Sequence, residues 1–237
     1  CWGRDNRGQM AVPQGQFIQV SANYWHTCAL TIEGRPVCWG DNEFEQGAPI
    51  DAEYTSISAG YWHTCALRAD GRAICWGLDD GGRLMAPDEP LVAIDAGWYH
   101  TCGLRPDQTV VCWGMNSEGQ SDALDGEFVA LGAGGLHTCG IHTDGAVRCW
   151  GSDELGQATP SATRYSAIAA GADHTCGLRE DGLAECWGQD NRGQSSAPQV
   201  ALTAISAGLD HTCGLTVDGD AVCWGQNNHE QASPPAR

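Results

Sequence analysis

The sequence predicts an all-β propeller built from short, three-stranded blades. The first observation behind this is a period of 37 residues that never slips: His-Thr-Cys recurs at His26, His63, His100, His137, His174 and His211, and Cys-Trp-Gly at Cys1, Cys38, Cys75, Cys112, Cys149, Cys186 and Cys223. A fixed period of this size marks solenoids, propellers and arrays. The second is an acid-Gly pair between two strand-like runs, at Glu33-Gly34, Asp70-Gly71, Asp144-Gly145, Asp181-Gly182 and Asp218-Gly219, a strong hairpin signal. The third is the fit of three strands into each unit, which suits a ring of small blades better than an open solenoid.

Complete units span 17–40, 54–77, 91–114, 128–151, 165–188 and 202–225, and residues 1–16 are the tail of a further, partial unit. The whole chain, 1–237, reads as one domain. The partial unit has its third strand at 1–3 and lacks the first two. They lie ahead of residue 1, or another molecule supplies them, or six blades close alone; an unseen N-terminal part is the expectation. The chain has no starting Met and no signal peptide, which reads as a processed chain or a piece of a longer one.

Within a unit, the first strand starts at Phe17, Tyr54, Leu91, Phe128, Tyr165 or Leu202. It reaches an invariant alanine at Ala22, Ala59, Ala96, Ala133, Ala170 and Ala207, a small residue suited to crowding near a central axis. Gly60, Gly97, Gly134, Gly171 and Gly208 follow, with Asn23 in the first unit. Because Asn is the usual substitute where φ is positive, a left-handed residue is expected here. The second strand runs from the His to Leu30 and its equivalents. The third unit has Asp107-Gln108 in place of acid-Gly, so its turn is expected to be the strained one. The third strand ends in Cys-Trp-Gly, where adjacent residues face opposite ways; each Trp is expected to pack between neighbouring sheets. In the loop that follows, Asp5, Asn42, Asp79, Asn116, Asp153, Asp190 and Asn227 share one position and are expected to bond their own backbone. Gln9, Gln46, Gln120, Gln157, Gln194 and Gln231 share another, with Arg83 the exception.

Twelve of the 13 cysteines form six pairs of equal spacing: Cys28/Cys38, Cys65/Cys75, Cys102/Cys112, Cys139/Cys149, Cys176/Cys186 and Cys213/Cys223, with Cys1 left over. That spacing is longer than zinc-ligand pairs use. Facing residues in a non-hydrogen-bonded antiparallel pair lie ~4.5 Å apart at Cα, within disulfide range. One disulfide per hairpin is therefore expected, each stabilising by roughly 2–3 kcal/mol, in an oxidising location: secreted, periplasmic or cell-surface.

A net charge of -18 argues against a nucleic-acid partner, since phosphate binding needs clustered Lys and Arg. No apolar run approaches the ~20 residues of a membrane span. One acid per loop does not supply the roughly six oxygens of a calcium site, and no metal or other cofactor is expected. The repeated His reads as structural, bonding the backbone of its own or the next blade. No nucleophile elbow, phosphate loop or metalloprotease motif occurs, and the chain reads as a non-enzyme.

The recurring Ala-Gly-x-x-His-Thr, then Leu, a turn Gly, Trp-Gly, an Asp or Asn, and a Gln, resembles the regulator of chromosome condensation repeat family across the whole chain. The short repeat is most similar to bacterial members such as the propeller-type β-lactamase inhibitor protein; the paired cysteines depart from eukaryotic members. The resemblance implies a seven-bladed propeller and a choice among diverse functions, so fold alone does not settle function. The two residues before each His vary: Tyr24-Trp25, Tyr61-Trp62, Trp98-Tyr99, Gly135-Leu136, Ala172-Asp173 and Leu209-Asp210. A similar plant UV-B photoreceptor and the inhibitor protein carry aromatics on this face. By that resemblance Tyr24, Trp25, Tyr61, Trp62, Trp98 and Tyr99 form an exposed patch for a protein partner, with Asp173 and Asp210 across the same face. A carbohydrate-binding lectin, or a structural or adhesive component that self-assembles through the incomplete blade or Cys1, are the alternatives.

Overall fold

The computed structural model describes residues 1–235. Six antiparallel three-stranded sheets follow one another: β1 (Phe17–Ala22), β2 (His26–Thr31), β3 (Pro36–Gly40); β4 (Ser56–Ala59), β5 (His63–Leu67), β6 (Ala73–Gly77); β7 (Ala93–Ala96), β8 (His100–Leu104), β9 (Val110–Gly114); β10 (Phe128–Ala133), β11 (His137–His142), β12 (Val147–Gly151); β13 (Tyr165–Ala170), β14 (His174–Arg179), β15 (Ala184–Gly188); β16 (Leu202–Ala207), β17 (His211–Thr216), β18 (Ala221–Gly225). In every sheet the strands lie in chain order. The first strand lines a central channel of about 470 Å³, and all six invariant alanines face it. They are small because the inner strands converge there.

Each blade packs on the next through one repeated cluster. Cys28 and Leu30 of the first blade meet Tyr54, Ile57 and Trp76 of the second. Cys102 and Leu104 meet Phe128 and Trp150 in the same way. The indole nitrogen is satisfied by the loop ahead of it: Trp76 Nε1 donates to Gln46 O at 3.0 Å, and Trp150 Nε1 to Gln120 O at 2.9 Å. The stripe of apolar residues on one blade is thus buried by its neighbour, as in other repeat architectures.

All six hairpin disulfides form, with Cα atoms 4.0–4.1 Å apart. The register places each pair directly opposite, Cys139 against Cys149 for example. The Asp/Asn loop position bonds its own backbone: Asn42 Oδ1 accepts Gly47 N–H at 2.8 Å and Asp190 Oδ1 accepts Ser195 N–H at 2.8 Å. The third unit's turn carries Gln108 at φ 70°, a conformation its counterparts assign to glycine.

Two expectations need correction. Gly60, Gly97, Gly134, Gly171 and Gly208 do not have positive φ. Glycine is required there for space: a Cβ on Gly134 would lie 2.3 Å from the His137 ring and 2.7 Å from Gly171 O. Asn23, at the same position, instead donates from Nδ2 to Ala59 O at 3.2 Å. The histidines do bind the next blade, but through a side chain rather than its backbone. His26, His63, His100, His137 and His174 place Nε2 2.7–2.8 Å from Thr64, Thr101, Thr138, Thr175 and Thr212 Oγ1.

The two ends of the chain meet. Trp2 Nε1 donates to Gln231 O at 3.0 Å, the bond each other repeat Trp makes to the preceding loop. Residues 1–3 therefore sit beside the sixth blade in the place of a further blade's third strand.

Candidate functional site

The residue after each Trp-Gly bonds back to the residue before each His, as Asp41 N–H does to Trp25 O at 2.8 Å. This brings the Gly-x-x-His loops and the Asp/Asn loops to one face. On it the six aromatics of the first three blades touch in series. Tyr24 stacks on Tyr61 with centroids 5.8 Å apart, and Tyr61 meets Trp98 at 5.1 Å. Trp25 meets Tyr61 edge-on at 6.3 Å and Trp62 meets Tyr99 at 6.3 Å. All six are half-buried rather than fully exposed, because each covers part of its neighbour. Trp98 also borders a small cavity of about 30 Å³ with Gly134, Gly171 and Gly208, so the crescent reaches from the rim to the axis.

The structure adds residues to this face beyond the aromatic pairs. Phe44 packs edge-on against Trp62 at 5.7 Å. The Arg4 guanidinium lies 5.1 Å from the Tyr24 ring and 5.0 Å from Trp25, and Arg7 lies 5.6 Å from Trp25. Arg83 lies 5.3 Å from the Tyr99 ring and is fully buried. Its Nε donates to Asp80 O at 2.8 Å. Cations over ring faces are attracted by the ring quadrupole. The signal for Arg83 was its place as the one exception at the Gln position; Arg4, Arg7 and Phe44 lie in loops whose residues vary from blade to blade.

Asp173 and Asp210 lie on the same face in the fifth and sixth blades, apart from the crescent. Burial pushes both carboxyls above the usual carboxylate range; the neighbouring Asp210 charge adds to this at Asp173, and Arg192 opposes it at Asp210. Arg192 Nε is 3.6 Å from Asp210 Oδ2, whose side chain is 17% exposed. A third carboxyl, Asp95, lines the channel. Its Oδ2 accepts Ala133 N–H at 2.8 Å and its Oδ1 accepts the Ser58 hydroxyl at 3.2 Å. It bridges blades where the two preceding units use Ser21 and Ser58. No group of three or more His, Cys, Asp or Glu placed to hold a metal occurs among the described residues.

The sequence profile of the regulator of chromosome condensation (RCC1) repeat matches at residues 17–46, 54–83, 91–120, 128–157, 165–194 and 202–231. A search of curated proteins finds no match. Among solved structures, the chain is similar to the ectodomain of the receptor kinase CR4 from Physcomitrella patens, with 32% identity and a TM-score of 0.81, covering 95% of this chain and 66% of that one. It is equally similar in TM-score, 0.81, to the CRINKLY WD40 ectodomain of the Arabidopsis thaliana receptor kinase ACR4, at 30% identity, covering 92% of this chain and 83% of that one. Prp20p from Saccharomyces cerevisiae shares the fold at 16% identity and a TM-score of 0.79, covering 92% of this chain and 74% of that one. Six phased repeats over most of the sequence place the chain in the regulator of chromosome condensation (RCC1) repeat family.

Proposed function

We propose that the chain is an extracellular, non-enzymatic module that binds a protein partner through the aromatic crescent of its first three blades. The observation that carries this reading is the continuous run of ring contacts through Tyr24, Tyr61 and Trp98, with Trp25, Trp62 and Tyr99 beside it, on a face where the other blades have no aromatic residue at these positions. Blade packing does not require these rings, since the fourth blade closes with Gly135 and Leu136 at the same positions. Tyr and Trp anchor protein interfaces, and apolar patches this continuous are uncommon on monomers unless they meet something. Arg4 adds a positive charge at the edge of the patch, which favours a partner presenting a carboxylate beside apolar groups; Arg7 is paired with Asp41 and Glu43, and Arg83 is buried beside Asp80. The extracellular part of the proposal is supported by six disulfides and by the similarity to two receptor ectodomains.

The test is affinity capture from the extracellular fraction of the source, run in parallel with wild type and Trp62→Ala. A protein retained by the first and lost by the second supports the reading. A partner retained equally by both removes the crescent from the account, and binding confined to a glycan array makes the chain a lectin.

A further inference from the structure

We propose that Arg83 is a carboxylate-binding residue at the end of the aromatic crescent, taking an Asp or Glu side chain of the partner at a notch left by Gly81. The proposal rests on the crescent reading and adds to it the chemistry of one contact. The loops that follow each Trp-Gly share one internal design, and the third departs from it twice. In the other six, a glutamine Oε1 accepts the backbone N–H two residues before it: Arg7 to Gln9, Phe44 to Gln46, Glu118 to Gln120, Leu155 to Gln157, Arg192 to Gln194 and His229 to Gln231, at 2.8–2.9 Å. In the third loop these two positions are Gly81 and Arg83. Arginine has no acceptor to offer, and no other described residue accepts the Gly81 N–H. Arg83 is fully buried, and its Nη1 and Nη2 have no hydrogen-bond acceptor among the described residues. Its Nε alone is satisfied, by Asp80 O. The Asp80 carboxylate holds the guanidinium loosely: Oδ2 is 3.7 Å from Nη2 and the side chain is 71% exposed, whereas a charge-assisted hydrogen bond spans about 2.7–2.9 Å. Where six loops supply an oxygen, this one has three nitrogen donors without an acceptor.

Packing does not demand the arginine. Leu78 cannot accept from the side chain at position 83 as Asp41 accepts from Gln46 Nε2. But Met115 stands in the same relation to Gln120, whose Nε2 is left without a partner, and that loop keeps its glutamine. A buried guanidinium short of acceptors destabilises more than a buried amide does, so the fold gains nothing from the exchange. The second departure gives access. In three other loops the residue at the Gly81 position covers the side chain that precedes the histidine: the Arg7 guanidinium lies over Trp25, Phe44 packs on Trp62, and Arg192 pairs with Asp210. Gly81 is exposed and has no side chain to place over Tyr99, whose ring is 5.3 Å from the Arg83 guanidinium. A Cβ built on Gly81 would meet only Met115, at ordinary contact distance, so no neighbour fills the notch. Gly81 and Gly82 follow one another at φ 76° and 79°, which keeps both positions free of side chains. An acidic side chain entering there meets the Gly81 N–H, displaces the exposed Asp80 carboxylate, and accepts from Nη1 and Nη2 together. Such bidentate pairing is the geometry for which guanidinium groups are suited.

The probe is sodium acetate, titrated into the nitrogen-15-labelled intact chain at constant ionic strength and read at the Arg83 Nε–H resonance, which is identified by its loss in Arg83→Gln. Acetate should shift that resonance saturably, acetamide should not, and inorganic phosphate should bind more weakly than acetate. Asp80→Asn, which removes the competing carboxylate, should tighten acetate at least about threefold. Trp62→Ala should bind acetate as wild type does, so this site and the crescent can fail separately. Toward the captured partner, Arg83→Gln should weaken binding at least about tenfold, while the melting temperature holds or rises because a poorly paired buried charge is gone. A shift that never saturates or that acetamide reproduces would overturn the proposal. So would phosphate bound in preference to acetate, weaker acetate binding in Asp80→Asn, or an Arg83→Gln variant that melts lower or binds the partner with wild-type affinity.

Discussion

His100 Nε2 lies 2.7 Å from Thr138 Oγ1 across a blade boundary, and the Thr138 hydroxyl in turn donates to Gln120 O at 3.0 Å. The hydroxyl proton is spent on the carbonyl, so the histidine must donate from Nε2 and carry a bare Nδ1. Nδ1 is buried with no partner and lies over Gly97, whose missing side chain makes room for the ring. At this boundary one position thus fixes the tautomer, the glycine and the blade spacing together, and Thr64 and Thr175 repeat the bond to the loop carbonyl.

Thr138→Val should therefore destabilise the fold by about 1–3 kcal/mol, since it leaves the His100 N–H unpaired in the interior and removes one of the two hydrogen bonds to the Gln120 carbonyl, the other coming from Trp150. Thr138→Ser, which keeps the hydroxyl, should cost less. Urea unfolding followed by tryptophan fluorescence measures both, and equal losses would mean the methyl group rather than the hydrogen bond matters.

The same histidines set the acid limit of the protein. Burial pulls His26, His100 and His174 down to about 4 and His137 to about 3, and His63 well below its ordinary value. With folded values below the unfolded 6.5, the unfolded state binds more protons between about 4 and 6.5, so stability falls as pH drops through that window. Each ring shifted to about 4 contributes on the order of 3 kcal/mol. Asp95 works in the opposite sense: burial raises it to about 6, so its contribution falls as pH rises from the unfolded carboxylate value to about 6. Five rings outweigh one carboxyl, and unfolding midpoints should be flat above pH 7 and fall steeply by pH 4.5. Asp95→Asn should steepen that acid-side loss; a variant that flattens it would reverse the assignment.

Gly134→Ala should be among the most disruptive single-methyl changes in the chain, because the added carbon meets both the His137 ring and Gly171 O at less than contact distance. Gly156→Ala has open space around it and costs only the strain of its φ of 78°. Thermal melts of the two should differ by several degrees; equal shifts would mean that the gap between the fourth and fifth blades relaxes freely.

Repeat phase made the blades, the hairpin disulfides and the packing tryptophans legible in the sequence, because those positions see the same surroundings six times. What it could not carry was anything made by a neighbour's side chain. The glycine before each histidine looked like a backbone requirement and is a steric one, since the obstructing ring is three residues ahead and the obstructing carbonyl is one blade away. The partner of the histidine looked like backbone and is a threonine 38 residues on. At the candidate site, the aromatic pairs were visible as breaks in the repeat. Arg4, Arg7 and Phe44 were not, because only the folded loops bring them over or against those rings.

The central claim is that the crescent grips a protein. Its most direct test is the affinity of the captured partner for Trp62→Ala, beside Val217→Ala as a control at an exposed position outside the crescent. Loss of a central aromatic anchor should weaken binding by about 2 kcal/mol, roughly 30-fold, with an unchanged melting temperature and an unaffected control. Wild-type affinity in Trp62→Ala, measured on folded protein, would contradict the account.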